Sequence, residues 1–344
     1  MSGDVNEQLP TDRSDRINGN RSEAARATGV RRAIITLGIC AVAMAGCSSP
    51  ERQGQATQPA VPRPGVATAT APPILSPPAY QAELQSASSA VAPTFNRLVN
   101  AGSPEDARTE LEQASTAALE AARLLDVDPP AEVLAVHRNL LAGLRQLAAD
   151  LSQLSGQVTS MELCGMPSIL AAVSNASGVN SLRTVREDLG SGRLGASYQW
   201  GEFLPEPTPL PERRLANGQL IDSQRRTGRG QLKVDNGAGN DAVVKLVQDG
   251  RSIASVYVRK ESNTTVGQIN DGSYELFYTS GEDWDDQLKI FTRSCQFKRF
   301  ETAAEFTTTS IKGGIRYTIQ TVGLQPTIGG NARTEAVPAQ SFPR

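Results

Sequence analysis

Four prolines at alternate positions, Pro205, Pro207, Pro209 and Pro211, divide this chain where its hydrophobic repeat changes. Such a run holds the backbone extended and suits neither a helix interior nor a central strand. Before it, apolar residues recur about every 3.6 positions; after it, they recur every second position. The expectation is an α + β protein with the two kinds of structure in separate domains. An antiparallel helical bundle is expected over 80–190, a Pro-rich basic connector over 191–229, a β-sandwich over 230–334 and a tail over 335–344.

The helical half carries its own start and stop signals. Ser103-Pro104-Glu105-Asp106 reads as an N-cap, a first-turn proline and two acids at the positive end of a helix dipole. The helix so opened has Ala107, Leu111, Ala114, Ala118, Ala121 and Leu125 on one stripe, and Asp128-Pro129-Pro130 ends it. The next helix has the strongest periodicity in the chain: Val133, Val136, Leu140, Leu144, Leu147, Leu151, Leu154 and Val158. Small alanines facing branched side chains suit close antiparallel packing. With a segment from Gln81 to Val99, interrupted at Pro93, these predict a bundle of three or four helices. Shorter helices around Ile169–Val173 and Ser181–Leu189 would cap it.

Beyond Gly230, Leu232 and Val234 alternate with Lys233 and Asp235, and Ala254, Val256 and Val258 with Ser255, Tyr257 and Arg259. Tyr274, Leu276 and Tyr278 continue the rhythm, as do Tyr317 and Ile319. Asp249-Gly250, Asp271-Gly272 and Gly313-Gly314 supply the turn chemistry of tight hairpins. Seven or eight strands are expected, resembling in rhythm prealbumin-like and carboxypeptidase-regulatory-like modules. More specifically, several motifs resemble, in order, a C-terminal β domain of uncharacterised bacterial, often actinobacterial, proteins. They run from Val234-Asp235-Asn236-Gly237 through Gly272-Ser273-Tyr274-Glu275-Leu276 and Phe291-Thr292-Arg293-Ser294-Cys295 to Gly329-Gly330-Asn331-Ala332. That resemblance implies a β fold and brings no activity or ligand with it.

At the other end, Arg31-Arg32 precedes an apolar run, Ala33 to Ala45, then Gly46 and Cys47. About 13 residues fall short of the roughly 20 that a membrane-spanning helix needs, but suit the core of a signal peptide. Met44-Ala45-Gly46-Cys47 resembles a bacterial lipobox. The resemblance implies a signal peptide over 1–46, cleavage between Gly46 and Cys47, and a covalent diacylglyceryl group on the Cys47 thiol. Translation from Val30 would give a compact n-region. Residues 47–79 would form a disordered tether, since the Pro, Ala, Thr, Gln and Ser between Ser48 and Pro78, eight prolines included, cannot bury enough surface to fold.

Little chemistry stands out elsewhere. A formal net charge of −2 and a pI near 5.7 give no sign of a nucleic-acid partner. His137 is the sole histidine and lies beside the apolar stripe of the long helix, where a partly buried or boundary position is expected. Two cysteines remain once Cys40 is removed and Cys47 acylated, and Cys164 and Cys295 are either a disulfide or two separately buried thiols. Glu282, Asp283, Asp285 and Asp286 form the densest acidic cluster, a weak Ca²⁺ candidate. The bland alternative is a solvated turn with Trp284 packed inward. Around the connector, Arg213, Arg214, Arg225, Arg226, Arg229 and Lys233 outnumber Glu212 and Asp222 by four; they would meet anionic polymers or simply water. No catalytic residue, metal or cofactor beyond the acyl group is expected. The expected role is a binding or scaffolding module on the outer face of the cell membrane, held by membrane lipid and meeting envelope proteins or anionic wall polymers. The alternative is a cell-wall hydrolase or modifying enzyme working through carboxylates that spacing does not reveal.

Overall fold

A computed structural model of the chain describes residues 74–325 and 333–343. The Gly46–Cys47 junction, Val30, most of the tether and the Gly329–Ala332 motif lie outside them. Among the described residues, five helices are followed by a mostly antiparallel β region, and both parts belong to one compact unit.

The helices are α1 (Pro77–Val99), α2 (Pro104–Leu124), α3 (Leu134–Thr159), α4 (Met166–Ser174) and α5 (Ser177–Gly190). At the start of α2, the Ser103 hydroxyl accepts from the Asp106 N–H at 3.1 Å, with Pro104 in the first turn. Ala107, Leu111, Ala114, Ala118 and Ala121 are buried along α2, and Leu140, Leu144, Leu147, Leu151 and Leu154 along α3. Helix α2 packs against both α1 and α3, and α5 packs on the other side of α3. A Cβ on Gly178 of α5 would collide with the backbone of Leu147, so glycine lets α5 lie close against α3.

Two expectations change here. Pro93 does not interrupt its helix: α1 runs through it, with Val91, Phe95 and Leu98 buried on either side. The proline costs one backbone hydrogen bond, but it is exposed and packing holds the axis across it. The connector, too, begins later than its composition implies. Tyr198, Trp200 and Leu204 are buried in the helical core. The Tyr198 ring stands edge-on to Tyr80 at 5.4 Å, and Phe203 packs on Phe95 at 5.3 Å. These aromatics close one side of the bundle.

The β part has twelve strands among the described residues, more than expected. They are β1 (Leu220–Ser223), β2 (Gly230–Asn236), β3 (Asp241–Gln248), β4 (Arg251–Val258), β5 (Ser262–Ile269), β6 (Gly272–Asp285), β7 (Ile290–Phe300), β8 (Ala304–Phe306), β9 (Thr308–Ile311), β10 (Gly314–Tyr317), β11 (Ile319–Gly323) and β12 (Thr334–Ala336). A seven-stranded sheet runs in the order β1-β4-β3-β6-β7-β12, with β8 paired to β6. A three-stranded sheet runs β11-β2-β5, its β11–β2 pair parallel, and β9 and β10 form a ribbon of their own. Residues from the first two sheets, among them Val244, Val256 and Tyr278 with Leu232, Val234 and Val266, share one buried core.

Asp249 and Gly250 both take positive φ (50° and 72°) in the β3–β4 hairpin. Asp271-Gly272 makes no hairpin. Strand β5 pairs with β2 and β6 with β3, so that turn carries the chain from the small sheet to the large one. Nor is the outer face of the large sheet solvated as plain alternation predicts. Ser255 and Tyr257 are as buried as Val256, because helical and connector segments cover that face. The tail shares in the covering. Strand β12 pairs with β7, Phe342 packs on Phe277 and Phe297, and the Pro343 carbonyl accepts from the buried Lys245 ammonium at 2.8 Å.

Candidate functional site

The most distinctive chemistry lies where helices, connector and sheet meet. The segment leaving α3 runs antiparallel to β7: the Cys164 N–H donates to the Thr292 carbonyl (2.9 Å), and the Ser294 and Cys295 N–H groups donate to Glu162 and Met161 carbonyls (3.0 and 2.9 Å). Cys164 and Cys295 form a disulfide beside this ladder, their Cα atoms 6.3 Å apart. Gly165 follows, and a Cβ there would lie 2.6 Å from the Thr292 Cβ, so only glycine lets the start of α4 come this close to the sheet.

A chain of buried polar groups crosses the same junction. Ser168 of α4 lies 2.6 Å from the Thr292 hydroxyl, which in turn donates to Asp283. With its own hydrogen committed to the carboxylate, Thr292 accepts from Ser168. Asp283 lies in β6 just past the register shift between Ser280 and Glu282, at φ 53°, with its side chain fully buried. Arg213 grips it from the connector through Nε (2.8 Å), Nη2 (2.7 Å) and its backbone N–H (2.8 Å). The remaining guanidinium nitrogen, Nη1, donates to Asp285 at 2.8 Å. The next residue repeats the device. Arg214 forks onto Asp241 at the start of β3 with two bonds of 2.6 Å, while Tyr257 and the Lys260 N–H donate to the same carboxylate.

Burial alone raises the pKa of Asp241, Asp283 and Asp285. The guanidinium, hydroxyl and N–H donors around each outweigh it and hold all three below the ordinary carboxylate range. Arg213 and Arg214 are pushed further up by the hydrogen bonds to their aspartates, against the opposing effect of burial. Tyr257 is raised by burial and by its bond to Asp241. The aspartates and arginines are charged and Tyr257 is neutral at neutral pH, all mutually satisfied, and none is poised to exchange a proton there.

Beside the two forks lies an open recess of about 220 Å³, lined by Glu212, Arg214, Asp241, Lys260, Glu282, Asp283 and Arg293 among others. Its lining holds no histidine, cysteine, serine or threonine. The buried acids are already saturated by donors, and Glu282 pairs with Arg293 across the lining.

The acidic cluster thus disperses. Trp284 packs inward against Tyr257 and Phe291, as expected, but only Glu282 and Asp286 turn toward water. Asp283 and Asp285, two residues apart in β6, are buried, and Arg213 binds both. Glu282 faces Arg293 at 3.3 Å and Asp286 faces Lys289 at 2.9 Å. Among the described residues, no group of three or more His, Cys, Asp or Glu side chains is arranged to hold a metal. The basic connector is depleted in the same way. Arg213 and Arg214 are consumed by the aspartates and Arg226 donates to the Gly267 carbonyl, leaving Arg225, Arg229 and Lys233 exposed. His137 is buried rather than at a boundary, with its Nδ1 hydrogen-bonded to the Tyr80 hydroxyl at 3.0 Å, and burial lowers its pKa.

No protein-family model, no curated protein and no solved structure matches the chain. Two signals in the sequence foreshadowed the forks: the Arg213-Arg214 pair directly after the proline run, and the Asp283-x-Asp285 spacing. Neither says which cation meets which acid.

Proposed function

We propose that this chain is a non-catalytic lipoprotein of the cell envelope, acylated on Cys47 and displayed on the outer face of the membrane, where it acts as a rigid binding or scaffolding module. The observation that carries this reading is the Cys164–Cys295 disulfide. Disulfides persist in oxidising compartments and are rare in the cytosol, so the bridge agrees with export through the segment ending at Cys47. The Pro-rich stretch after Cys47 suits a spacer, and the welded helical and β parts suit a body that presents surfaces rather than one that closes on a substrate. The core shared by the seven- and three-stranded sheets supports reading the β part as a two-layer sandwich. The exposed Arg225, Arg229 and Lys233 are the part of the connector left to meet anionic wall polymers or envelope proteins.

Metabolic labelling with radioactive palmitate tests the anchor. The expected outcome is a labelled protein in the membrane fraction, with label abolished by Cys47→Ala. An unlabelled wild-type chain, or a cytosolic one, overturns the proposal. Incubating the protein with purified wall material tests the non-catalytic half: release of sugar or peptide fragments would replace a scaffold with a hydrolase.

A further inference from the structure

The β9–β10 ribbon concentrates exposed apolar surface. Ile311, Ile315 and Tyr317, with Ile319 at the start of β11, are between 38% and 46% exposed, within nine residues of one another. Among the described residues the ribbon pairs with no other strand, and it is held at its base by Thr308, whose N–H and hydroxyl donate to Asp271. A two-residue turn, Lys312-Gly313, forms its tip, Gly313 at φ 89°. Directly opposed residues share a face of a β-ribbon. Ile315 and Tyr317 therefore lie on one face with Ser310 and Thr308, while Ile311 and Arg316 lie on the other with Gly314 and Thr309.

That distribution matters. A flat protein partner covers one face, whereas apolar residues flanking the tip on both faces are all covered only when the tip enters a surrounding medium. The charge has one sign: from Phe306 to Gly323 the chain carries Lys312 and Arg316 and no acidic residue. Isoleucine and tyrosine with basic residues among them form the composition of segments that sit at the boundary of anionic lipid headgroups and acyl chains. Insertion has to be shallow, since the outer backbone groups of a two-stranded ribbon still need water. We infer that the tip of the β9–β10 ribbon, Ile311 to Tyr317, is a membrane-contact element that enters an anionic lipid surface. The choice of lipid as partner rests on the anchored reading proposed above. About 27 residues separate Cys47 from Ile74, enough at roughly 3.3–3.6 Å each to let the body fold back onto the surface that holds its anchor.

The test uses the full chain with Cys47→Ala, to remove the acyl group, and Ile315→Trp as a local reporter; the two native tryptophans, Trp200 and Trp284, are buried. Vesicles of phosphatidylglycerol with brominated acyl chains should blue-shift and quench the new tryptophan at least twofold. Phosphatidylcholine vesicles should leave it nearly unchanged, and Lys312→Glu with Arg316→Glu should weaken the effect at least tenfold. Lys312, Ile315 and Arg316 are exposed, and circular dichroism checks that each variant keeps its fold. A reporter that stays unquenched while the protein sediments with vesicles overturns the inference, because another segment then makes the contact. A blue shift that needs no lipid and grows with protein concentration overturns it in favour of a second copy of the chain. Palmitate incorporation into the wild type is read separately, so failure of the ribbon and failure of the anchor are distinguishable.

Discussion

The helical and β parts bury their polar groups in opposite ways. The helical core is a continuous field of Leu, Ala, Val and aromatic side chains whose one histidine is paired as a neutral ring with Tyr80. The helical part buries one charged side chain among the described residues, Arg183, held by the Ser174 and Pro205 carbonyls and Asn180. The β part buries carboxylates instead: Asp241, Asp283 and Asp285 lie under the sheet's outer covering, each neutralised by an arginine from the connector. The difference follows from what each part must join. Helices on one chain segment pack mainly through apolar stripes. The connector must be registered against a sheet distant in sequence, and bidentate guanidinium–carboxylate forks supply direction that apolar contact lacks.

The largest way to break that contrast is to remove one cation. Arg213→Ala leaves Asp283 and Asp285 buried without their partner. A one-sided break of a buried pair costs about 3–5 kcal/mol, and the partial exposure of Arg213 places the expectation near the lower end, about 3 kcal/mol. Urea unfolding measures it. Arg213→Lys should recover only part of the loss, because an ammonium cannot bridge both aspartates as the fork does. A loss below about 1 kcal/mol for Arg213→Ala would mean the connector is held by its apolar contacts alone.

Acid sharpens the same comparison with a smaller effect. Burial lowers the His137 pKa, so the folded state prefers the neutral ring. Its contribution is complete above the unfolded value of about 6.5 and is lost as the pH falls from there toward the folded value. The three aspartates have depressed folded pKa values, so their contribution is complete above about 4 and disappears only below it. Hydrogen-exchange protection in α3 should therefore begin to fall as the pH drops below about 6.5, while protection in β6 and β7 holds until about pH 4. His137→Phe should abolish the first phase. Parallel loss in both parts contradicts the assignment.

The two parts also differ in how legible they were in the sequence. The cap at Ser103, the stripe of α2 and the buried leucines of α3 stand where their spacing places them, because a helix is built from neighbours three and four residues apart. Strand positions such as Leu232, Val234 and Leu276 were equally readable. The pairing of strands was not: Asp271-Gly272 has the chemistry of a hairpin turn but serves as a crossing between sheets, since local turn preference says nothing of which strands meet. The charged junction was the least legible feature. Arg213 reaches Asp283 across 70 residues and Ser168 reaches Thr292 across 124, and an unpaired arginine in a loop has the same sequence signature as one clamped on a buried acid. Composition likewise assigned Tyr198 and Trp200 to a connector, although their aromatic bulk puts them in the core.

The weld between the two parts is the claim on which both the rigid body and its compartment depend. A peptide map of freshly extracted protein under non-reducing conditions tests it most directly. The account predicts one linked species containing Cys164 and Cys295, separated by reductant, with a loss of at most about 5 kcal/mol of stability on reduction of this 131-residue closure. Recovery of both peptides as free thiols from freshly extracted protein would contradict it.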